Sequence, residues 1–503
     1  MSALIQPTPR AQAFFDAPHR LLIGGEWVEG RAEPIAVENP SRNEHLTTVD
    51  AASDEDVDRA VAAARVALNG PWGRMSGRER AGILFRFADL LDANAEEIAE
   101  AMAYDNGQSL AACTGIVRVL ACEIIRYYAG WATKIAGDSF LPSLGGARAN
   151  TQFMVSTLRE PIGVVAAIVP WNAPAGMMGL KLGPALATGC TVVLKTAELA
   201  PLTGEFFGRF FLEAGGPPGV LNILHGLGHE TGAAMARHPG VDKISFTGSP
   251  VAGRSIVQAA AGNLKKVTLE LGGKSPIIVF PDADLDALVP ATALACFVAS
   301  GQACMAATRL FAHADIYDEL VQRVADHADA LTIGDSLEPG IFLGPLISAR
   351  QRARVEDYIR TGIAEGARVA NRNGFVPWEG AGNFVRPIVF ADATADMRIA
   401  QEEIFGPVLT AIRFDDEAAM LRDVNSTTYG LSGSVWTNDI TRALRVARQV
   451  DSGQVGINVH AAVSPETPFG GNRESGWGRE FGEEGLLPYL KTKAISINLG
   501  PRD

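Results

Sequence analysis

The chain has 503 residues, and 47% of them are apolar, a share that excludes wholesale disorder because it is enough to build a large buried core. Its 44 lysines and arginines stand against 57 aspartates and glutamates, which gives a net charge of −13, and no basic run occurs. Nucleic acids and anionic lipid surfaces are therefore poor partners for the molecule as a whole. The length corresponds to about three domains.

The five cysteines follow no spacing typical of a disulfide scaffold or a zinc site, so we expect no structural metal. The N-terminus lacks the basic start and apolar stretch of a secretion signal, which favours a cytoplasmic protein with reduced thiols. Two weakly charged stretches, 161–180 and 287–308, are interpreted as buried core and not as membrane helices, because prolines interrupt the first and the second turns polar at residues 300–302.

The first predicted elements are two helices. Ser53, followed by acidic residues and by alanines and valines at helical spacing, predicts a capped amphipathic helix that ends near Leu68. A longer helical pattern predicts one continuous helix from Ser76 to about Tyr104, closed by the Asn106-Gly107 pair.

From about residue 161, short apolar runs alternate with helical stretches, first to about residue 249 and again from about 275 to 455. This alternation predicts an α/β fold with parallel strands covered by helices on both faces. Such sheets bind ligands at the carboxyl ends of their strands. The segments to inspect are 170–172, 195–198, 226–228 and 247–249.

Two further stretches, 151–159 and 489–499, read as strands without an obvious partner in the chain. An unpaired strand offers free backbone groups to another chain. We therefore expect these strands to serve as edges for pairing with a second subunit.

Only Cys304 lies where a thiol could be reactive, in a small and polar break between an apolar helix and the next strand. Nearby amides could give it thiolate character there, although a buried inert cysteine is the commoner case. The other four, Cys113, Cys122, Cys190 and Cys296, are taken as inert.

Glu270 follows a buried strand and precedes two glycines, so burial would suit it to act as a general base. A plain strand-end glutamate is the alternative.

The usual glycine-rich dinucleotide fingerprint is absent, and residues 226–232 approach it with one residue too many. The segment 246–253 is better placed, because a strand enters it and a helix leaves it, and amides at a helix N-terminus suit a pyrophosphate. Lys195 and Glu198 follow another strand, where a carboxylate could accept hydrogen bonds from a ribose. A solvated loop pair is the alternative there.

Taken together, these motifs resemble the aldehyde dehydrogenase superfamily over nearly the whole chain. The motifs occur in the family's order, with Glu270 and Cys304 spaced as the family has them. They are Pro170-Trp171-Asn172, Lys195 to Glu198, Phe246 to Ser249, Glu270 to Lys274, Gly301 to Cys304, Glu402 to Pro407, and Pro468 to Gly471 continuing to Ser475-Gly476.

The resemblance implies that Cys304 is the nucleophile, that Asn172 stabilises the oxyanion and that Glu270 activates water, which favours hydrolysis to a free acid over transfer to coenzyme A. It implies NAD as the cofactor, because Glu198 would repel the 2′-phosphate of NADP. NADP is the alternative. The implied cofactor residues are Trp171, Lys195, Glu198, Gly228, Gly248, Ser249, Gly253, Leu271, Glu403 and Phe405.

The resemblance also implies a Rossmann-like NAD-binding domain (1–137 and 160–271), an α/β catalytic domain (272–481) and small oligomerisation strands (138–159 and 482–503), assembled as a homodimer or homotetramer.

Ala173 stands where the family often has an aromatic residue, so we expect a roomy apolar tunnel for an aryl, terpenoid or long-chain aldehyde. The implied substrate pocket comprises Ala173, Met177, Leu180, Val298, Met305, Val463 and Phe469. Glu466, Asn472 and Arg473 receive no role and are interpreted as solvated loop residues.

Two other functions compete with this interpretation. A binding or structural protein on the same scaffold would have no need of Cys304, Glu270 and Asn172. A thiol esterase would use Cys304 but would leave the ribose and phosphate motifs unexplained.

Overall fold

The computed structural model describes residues 5–143 and 151–501. The elements up to residue 168 are α1 (Pro9–Phe15), β1 (Leu21–Ile23), β2 (Glu26–Val28), β3 (Ala32–Asn39), β4 (Glu44–Ala51), α2 (Asp54–Asn69), α3 (Pro71–Arg74), α4 (Gly77–Ala93), α5 (Ala95–Asn106), α6 (Leu110–Gly115), a π-helical segment (Ile116–Cys122), α7 (Glu123–Trp131), β5 (Ser139–Phe140), β6 (Thr151–Pro161) and β7 (Val164–Ile168).

The elements that follow, up to residue 313, alternate between strand and helix. They are α8 (Pro174–Ala187), β8 (Thr191–Lys195), α9 (Thr203–Glu213), β9 (Leu221–Leu224), a π-helical turn (Gly228–Gly232), α10 (Ala233–Arg237), β10 (Lys243–Thr247), α11 (Pro250–Ala260), β11 (Lys266–Glu270), β12 (Pro276–Val279), α12 (Leu285–Phe297), a 3₁₀ turn (Val298–Gly301) and β13 (Arg309–His313).

The remaining elements complete the second alternating section and the C-terminus. They are α13 (Tyr317–Asp329), α14 (Ala349–Ala364), β14 (Arg368–Val369), β15 (Ile388–Ala391), α15 (Arg398–Gln401), β16 (Val408–Phe414), α16 (Glu417–Val424), β17 (Ser432–Trp436), α17 (Ile440–Ala447), β18 (Gln454–Ile457), a 3₁₀ turn (Arg473–Ser475), β19 (Gly476–Trp477), α18 (Gly482–Leu486), a 3₁₀ turn (Leu487–Tyr489) and β20 (Leu490–Pro501).

Two large sheets carry the fold. An eight-stranded sheet has the order β19-β11-β10-β7-β8-β9-β1-β2, and its five inner strands from β11 to β9 are parallel. A seven-stranded sheet has the order β14-β15-β16-β13-β12-β17-β18 and is parallel apart from β14. Apolar residues fill the inner strands, as in β7 and β8, which are buried at every position. The predicted α/β class with parallel strands is confirmed.

The predicted helix from Ser53 is confirmed as α2, and its capping box joins Ser53 to Asp56. The single long helix predicted from Ser76 is wrong, because the chain forms α4 and α5 with a break at Asn94. Asn94 has φ −110° and ψ 19°, and its side-chain amide donates to the Leu90 carbonyl at 2.8 Å. This local hydrogen bond competes with helix continuation, as asparagine side chains commonly do.

The two strands predicted at 151–159 and 489–499 do have a partner, namely each other. β6 pairs with β20 in antiparallel register from Leu490↔Pro161 to Pro501↔Thr151, and β5 covers the other edge of β6. The expectation that both strands lack a partner within the chain is therefore wrong. In the resulting three-stranded sheet, the outer edge of β20 has no partner strand among residues 5–143 and 151–501.

Candidate active site

A cavity of about 420 Å³ opens at the carboxyl ends of the parallel strands of the eight-stranded sheet. Its size is typical of small-molecule sites. It brings together residues that are distant in the chain and that the sequence singled out. Those that line it are Trp171, Asn172, Ala173, Met177, Gly248, Ser249, Leu271, Val298, Cys304, Met305, Glu403 and Phe405.

Cys304 reaches this cavity because α12 ends abruptly. Ala299 and Ser300 have φ values of 53° and 56°, and Gly301 follows at 73°, so three successive residues take the left-handed conformation. The Ser300 hydroxyl donates to the Gly344 carbonyl at 2.6 Å and anchors this turn. A side chain at Gly301 would lie 2.2 Å from the Gly406 carbonyl oxygen, so glycine is required there. The turn leaves Cys304 half-buried at the cavity wall.

The surroundings of Cys304 favour the protonated form of its thiol. Burial raises its pKa to about 12, and the nearby carboxylates of Glu270 and Glu403 act in the same direction against the backbone N–H groups of Met305 and Cys304. The two backbone N–H groups thus act in the direction expected from the sequence, and burial acts against them. The four other cysteines are buried, and burial raises the pKa of each of their thiols.

Asn172 lies in the loop between β7 and α8 and faces the same cavity. Its side-chain amide Nδ2 donates to the Gln302 carbonyl at 2.9 Å, two residues before Cys304. One N–H of that amide is thereby used, and the second can serve an oxygen in the cavity. The arrangement ties the Asn172 side chain to the turn that carries the thiol.

Glu270 ends β11 in a fully buried position and does not line the cavity wall. Neither of its carboxylate oxygens has a hydrogen-bond partner within the described ranges. Burial raises its pKa well above the ordinary value, and the negative charge of Glu480 adds to this, while Lys181 and Arg479 oppose it. A raised pKa makes this carboxyl group a stronger base than an exposed glutamate, as a general base requires.

The polar network behind Glu270 was not found from the sequence. Lys181 in α8 and Glu480 form a buried ion pair, and the Ser245 hydroxyl donates to Glu480 at 3.3 Å. The Tyr489 hydroxyl donates to Ser245 at 3.1 Å. Lys181 and Glu480 are 299 positions apart in the chain, so no local pattern could have paired them.

A second group of predicted residues lies beside the cavity along the strand ends. The Lys195 ammonium donates to the Thr196 carbonyl at 2.9 Å and lies 3.4 Å from the Glu198 carboxylate, and burial lowers the pKa of Lys195. A Cβ at Gly228 would lie 3.8 Å from the Glu198 carboxylate. Glycine thus keeps the space next to this ion pair open.

The N-terminus of α11 points into the same region. Ser249 caps it by accepting from the Ala252 N–H at 3.2 Å. A Cβ at Gly253 would lie 2.9 Å from Leu271, so glycine allows the helix to pack closely on the strand end. The buried Thr247 hydroxyl, which directly precedes Gly248, has no hydrogen-bond partner among the residues described. These features form a cradle of amides and one unpartnered hydroxyl.

Glu403 and Phe405 close the cavity on the side of the seven-stranded sheet. The Glu403 carboxylate accepts from the Gly273 N–H at 2.9 Å, and burial raises its pKa to about 7. Phe405 has φ 59° and meets Trp171 edge-on, with ring centroids 5.2 Å apart. Arg354, which the sequence did not single out, donates to the Glu403 carbonyl at 2.7 Å.

The apolar wall of the cavity differs in part from the sequence expectation. Ala173, Met177, Val298 and Met305 line it, whereas Leu180, Val463 and Phe469 do not. Two aliphatic residues that the sequence did not single out complete the wall, Ile116 and Leu120 of the π-helical segment.

The three residues left without a role make local contacts on the surface. The Ser464 hydroxyl donates to Glu466 at 2.5 Å, and the Asn472 amide donates to Asp451 at 3.0 Å. Arg473 pairs with the same Asp451 at 2.9 Å. Asn472 and Arg473 thus anchor a loop to Asp451.

The fold and the site define an α/β enzyme in which a cysteine and an amide donor face one cavity at the ends of parallel strands. The chain belongs to the aldehyde dehydrogenase family, because the sequence profile described as "Aldehyde dehydrogenase family" matches residues 27–495. The recognised family and the enzyme class are therefore confirmed.

Relatives of known name agree over nearly the full length. An aldehyde dehydrogenase of Alternaria alternata is 43% identical, with 99% of each chain covered, and a phenylacetaldehyde dehydrogenase of Pseudomonas fluorescens is 41% identical, with 95% of this chain and 96% of the relative covered. The structure is also similar to an NAD⁺ complex of aldehyde dehydrogenase from Bacillus cereus, with a TM-score of 0.94, 39% identity, and 99% and 100% of the two chains covered.

Among residues 5–143 and 151–501, no helix is both long and apolar enough to cross a membrane. The stretch 161–180 contains β7 and the start of α8, and the stretch 287–308 contains most of α12 and the 3₁₀ turn that follows it. Both stretches thus belong to the α/β fold, in agreement with their interpretation as core.

Proposed function

We propose that this enzyme oxidises a bulky hydrophobic aldehyde to the carboxylic acid with NAD, through a thioester on Cys304. The observation that carries the proposal is the shared cavity of about 420 Å³, which Cys304, Asn172, Glu403 and Phe405 all line. A nucleophile, an oxyanion donor and the residues for a nicotinamide ribose thus face one space.

The reaction begins when the Cys304 thiol releases its proton to solvent water and the sulfur bonds to the aldehyde carbon. The carbonyl oxygen becomes an oxyanion, which receives hydrogen bonds from the free N–H of the Asn172 side chain and from the Cys304 backbone N–H. Donors of this kind typically contribute about 10²–10³ in rate. When bound, NAD supplies the oxidised nicotinamide ring that accepts the hydride lost from the substrate carbon.

Loss of that hydride leaves the substrate as a thioester on Cys304. Glu270 takes a proton from water, the resulting hydroxide adds to the acyl carbon, and the carbon–sulfur bond breaks. The departing sulfur takes up the proton that Glu270 holds, so the products are the carboxylic acid and the restored thiol. Because Glu270 does not line the cavity that Cys304 lines, we propose that its side chain turns toward the thioester for this step.

The cofactor residues fit NAD. The Lys195–Glu198 pair suits the adenosine ribose, and the α11 N-terminus with Gly248, Ser249 and Gly253 suits the pyrophosphate. Glu403 suits the nicotinamide ribose. Four further positions, Trp171, Gly228, Leu271 and Phe405, would flank a bound dinucleotide. The Glu198 carboxylate favours NAD over NADP because it accepts from a 2′-hydroxyl and repels a 2′-phosphate. Replacing Glu198 with glutamine should raise kcat/KM for NADP relative to NAD.

The substrate wall supports a bulky apolar aldehyde. Ala173, Val298 and Met177 leave room that aromatic side chains would fill, and Ile116 and Leu120 add aliphatic surface. The name of the Pseudomonas fluorescens relative, phenylacetaldehyde dehydrogenase, is consistent with an aryl substrate. Replacing Ala173 with phenylalanine should lower kcat/KM for aryl and long-chain aldehydes more than for acetaldehyde.

The test is the absorbance of reduced nicotinamide with a panel of aldehydes of increasing chain length and ring size. We expect NAD reduction that is fastest with large apolar aldehydes and that vanishes in Cys304→Ala. Absence of cofactor reduction with every aldehyde would disprove the proposal. The same assay with coenzyme A tests Glu270, because accumulation of acyl-coenzyme A in place of the acid would contradict its assignment as the base.

We also propose that the chain divides as the resemblance implies, into NAD-binding, catalytic and oligomerisation parts, and that it acts in the cytoplasm as a homodimer or homotetramer. The free edge of β20 and its half-exposed apolar residues Ile495, Ile497 and Leu499 support the assembly. Light scattering coupled to size exclusion gives the number of subunits, and a monomer at micromolar concentration would contradict it.

A further inference from the structure

The turn that follows α5 holds two side-chain amides against the loop that carries Asn172. Gly107 ends the helix at φ 82°, and its N–H bonds to the Ala103 carbonyl. A Cβ at Gly107 would lie 2.7 Å from Pro40 and 2.8 Å from Pro345. Both the left-handed backbone conformation and the close contact with the two prolines therefore require glycine, and the turn packs tightly against them.

Asn106 and Gln108 flank this glycine and point the same way. The Asn106 amide nitrogen donates to the Trp171 carbonyl, and the Gln108 amide nitrogen donates to the Asn172 carbonyl. The Asn106 side-chain oxygen accepts from the Gln108 backbone N–H at 3.2 Å, which links the two. Both side chains are more than nine-tenths buried, with exposures of 1% and 4%.

We propose that Asn106 and Gln108 are positioning residues that orient Asn172 as the oxyanion donor, an inference that rests on the proposed function. Their amides hold two successive carbonyls of the loop, while the Asn172 side chain bonds to the Gln302 carbonyl at 2.9 Å. The loop is thus held at its backbone by the turn after α5 and at its side chain by the turn that carries Cys304. The second N–H of Asn172 is thereby left for the oxygen of an aldehyde bonded to the Cys304 sulfur.

These two hydrogen bonds matter because an oxyanion donor is effective only when it is held in place before the charge develops. Residues 170–172 lie between β7 and α8, and no helix or strand bond fixes the carbonyls of Trp171 and Asn172. A displacement of about 1 Å at a reacting centre can cost about 10²-fold in rate. The two buried amides supply the restraint that the loop lacks.

The test replaces Gln108 with methionine, which keeps the length of the side chain and removes its hydrogen bond. We expect kcat to fall about 10- to 100-fold while KM for the aldehyde changes little. The Kd for NAD, from tryptophan fluorescence, and the rate of Cys304 alkylation by iodoacetamide should be unchanged, because neither depends on the oxyanion donor. A change in folding alone would move the last two values as well.

The decisive step is a double-mutant cycle with Asn172→Ala. If Gln108 acts through Asn172, the double variant is no slower than Asn172→Ala alone. Multiplying effects, or wild-type kcat in Gln108→Met, would overturn the proposal. Should Gln108→Met fail to fold, Asn106→Asp serves instead, because it keeps the oxygen that accepts from Gln108 and loses the donor.

The matched control is Asn222→Asp, which removes a buried amide donor far from the cavity. The Asn222 amide donates to the Gly219 carbonyl at 2.8 Å. Its loss should lower Tm and leave kcat within about twofold of wild type. A wild-type protein that reduces no NAD would instead refute the proposed function, so the two failures are distinguishable.

Discussion

The Cys304 sulfur combines a half-buried position with two nearby carboxylates, and this combination decides how it reacts before substrate arrives. A neutral thiol is a weak nucleophile and resists oxidation, because the thiolate is the reactive form. A raised pKa therefore predicts a slow reaction of the Cys304 thiol with electrophiles in the absence of substrate and cofactor.

This protection predicts a pH dependence for alkylation of the cofactor-free enzyme by iodoacetamide. Since the pKa of Cys304 is raised to about 12, the thiolate fraction is small at neutral pH and grows with pH. The alkylation rate should rise roughly tenfold for each pH unit up to about pH 10. Peptide mass spectrometry assigns the label. Glutathione under the same conditions levels off nearer the ordinary thiol pKa, and a similar plateau for Cys304 would contradict the prediction.

The site residues show which part of the chemistry a sequence can predict. Cys304 stands out through local context, a polar break after an apolar helix, whereas the resemblance to the family was needed to favour Glu270 over a plain strand-end glutamate. Gln108 and the Lys181–Glu480 pair do not, because their partners lie far away in the chain and buried amides and ion pairs have no sequence signature. The protonated state of Cys304 also depends on carboxylates that only the fold brings close.

At the scale of elements, α8 packs closely on the helix that contains the π-helical segment. A Cβ at Gly179 would lie 2.8 Å from Cα and 2.9 Å from the carbonyl oxygen of Ala121, which belong to backbone and cannot rotate away. Glycine at this position thus sets the distance between the two helices. That distance also fixes where Ile116 and Leu120 stand in the cavity wall.

Replacing Gly179 with alanine should therefore destabilise the enzyme by about 1–3 kcal/mol, the usual cost of overpacking. Denaturant unfolding measures the change. The matched variant is Gly115→Ala, since a Cβ at Gly115 meets no atom within 4 Å and alanine favours a helix. Equal stabilities of the two variants would contradict this view of the packing.

The elements themselves were predictable where one signal dominated. Continuous apolar runs such as Val164–Ile168 predicted buried parallel strands, and Ser53 predicted the start of α2. The break at Asn94 depends on one local side-chain bond and was missed, as was the π-helical segment Ile116–Cys122. β6 and β20 pair although they lie more than 300 positions apart in the chain. The apolar pattern of a strand predicts the strand but does not indicate which other strand it pairs with.

At the scale of the whole molecule, the three-stranded sheet is where a second copy would bind. Its outer strand β20 carries the half-exposed Ile495 and Ile497, two residues apart and so on one face. The net charge of −13 opposes association of copies at random, so an apolar patch must supply the attraction.

Lysine at both Ile495 and Ile497 should therefore shift the enzyme toward smaller species in sedimentation velocity. The control is Val66→Lys on α2, which is 73% exposed and lies on another element. An unchanged subunit number in the double lysine variant, or equal dissociation in the control, would show that association uses a different surface.

The central claim is a covalent acyl group on one sulfur, and Glu270→Gln offers the most direct measurement of it. Without the base, the thioester should hydrolyse slowly and accumulate when the enzyme is mixed with NAD and a long-chain aldehyde, then quenched in acid. Peptide mass spectrometry should find the acyl mass on the peptide that contains Cys304 and on none of the other four cysteine peptides. An acyl group elsewhere, or NADH formed in a first turnover without any acylated cysteine, would contradict the account.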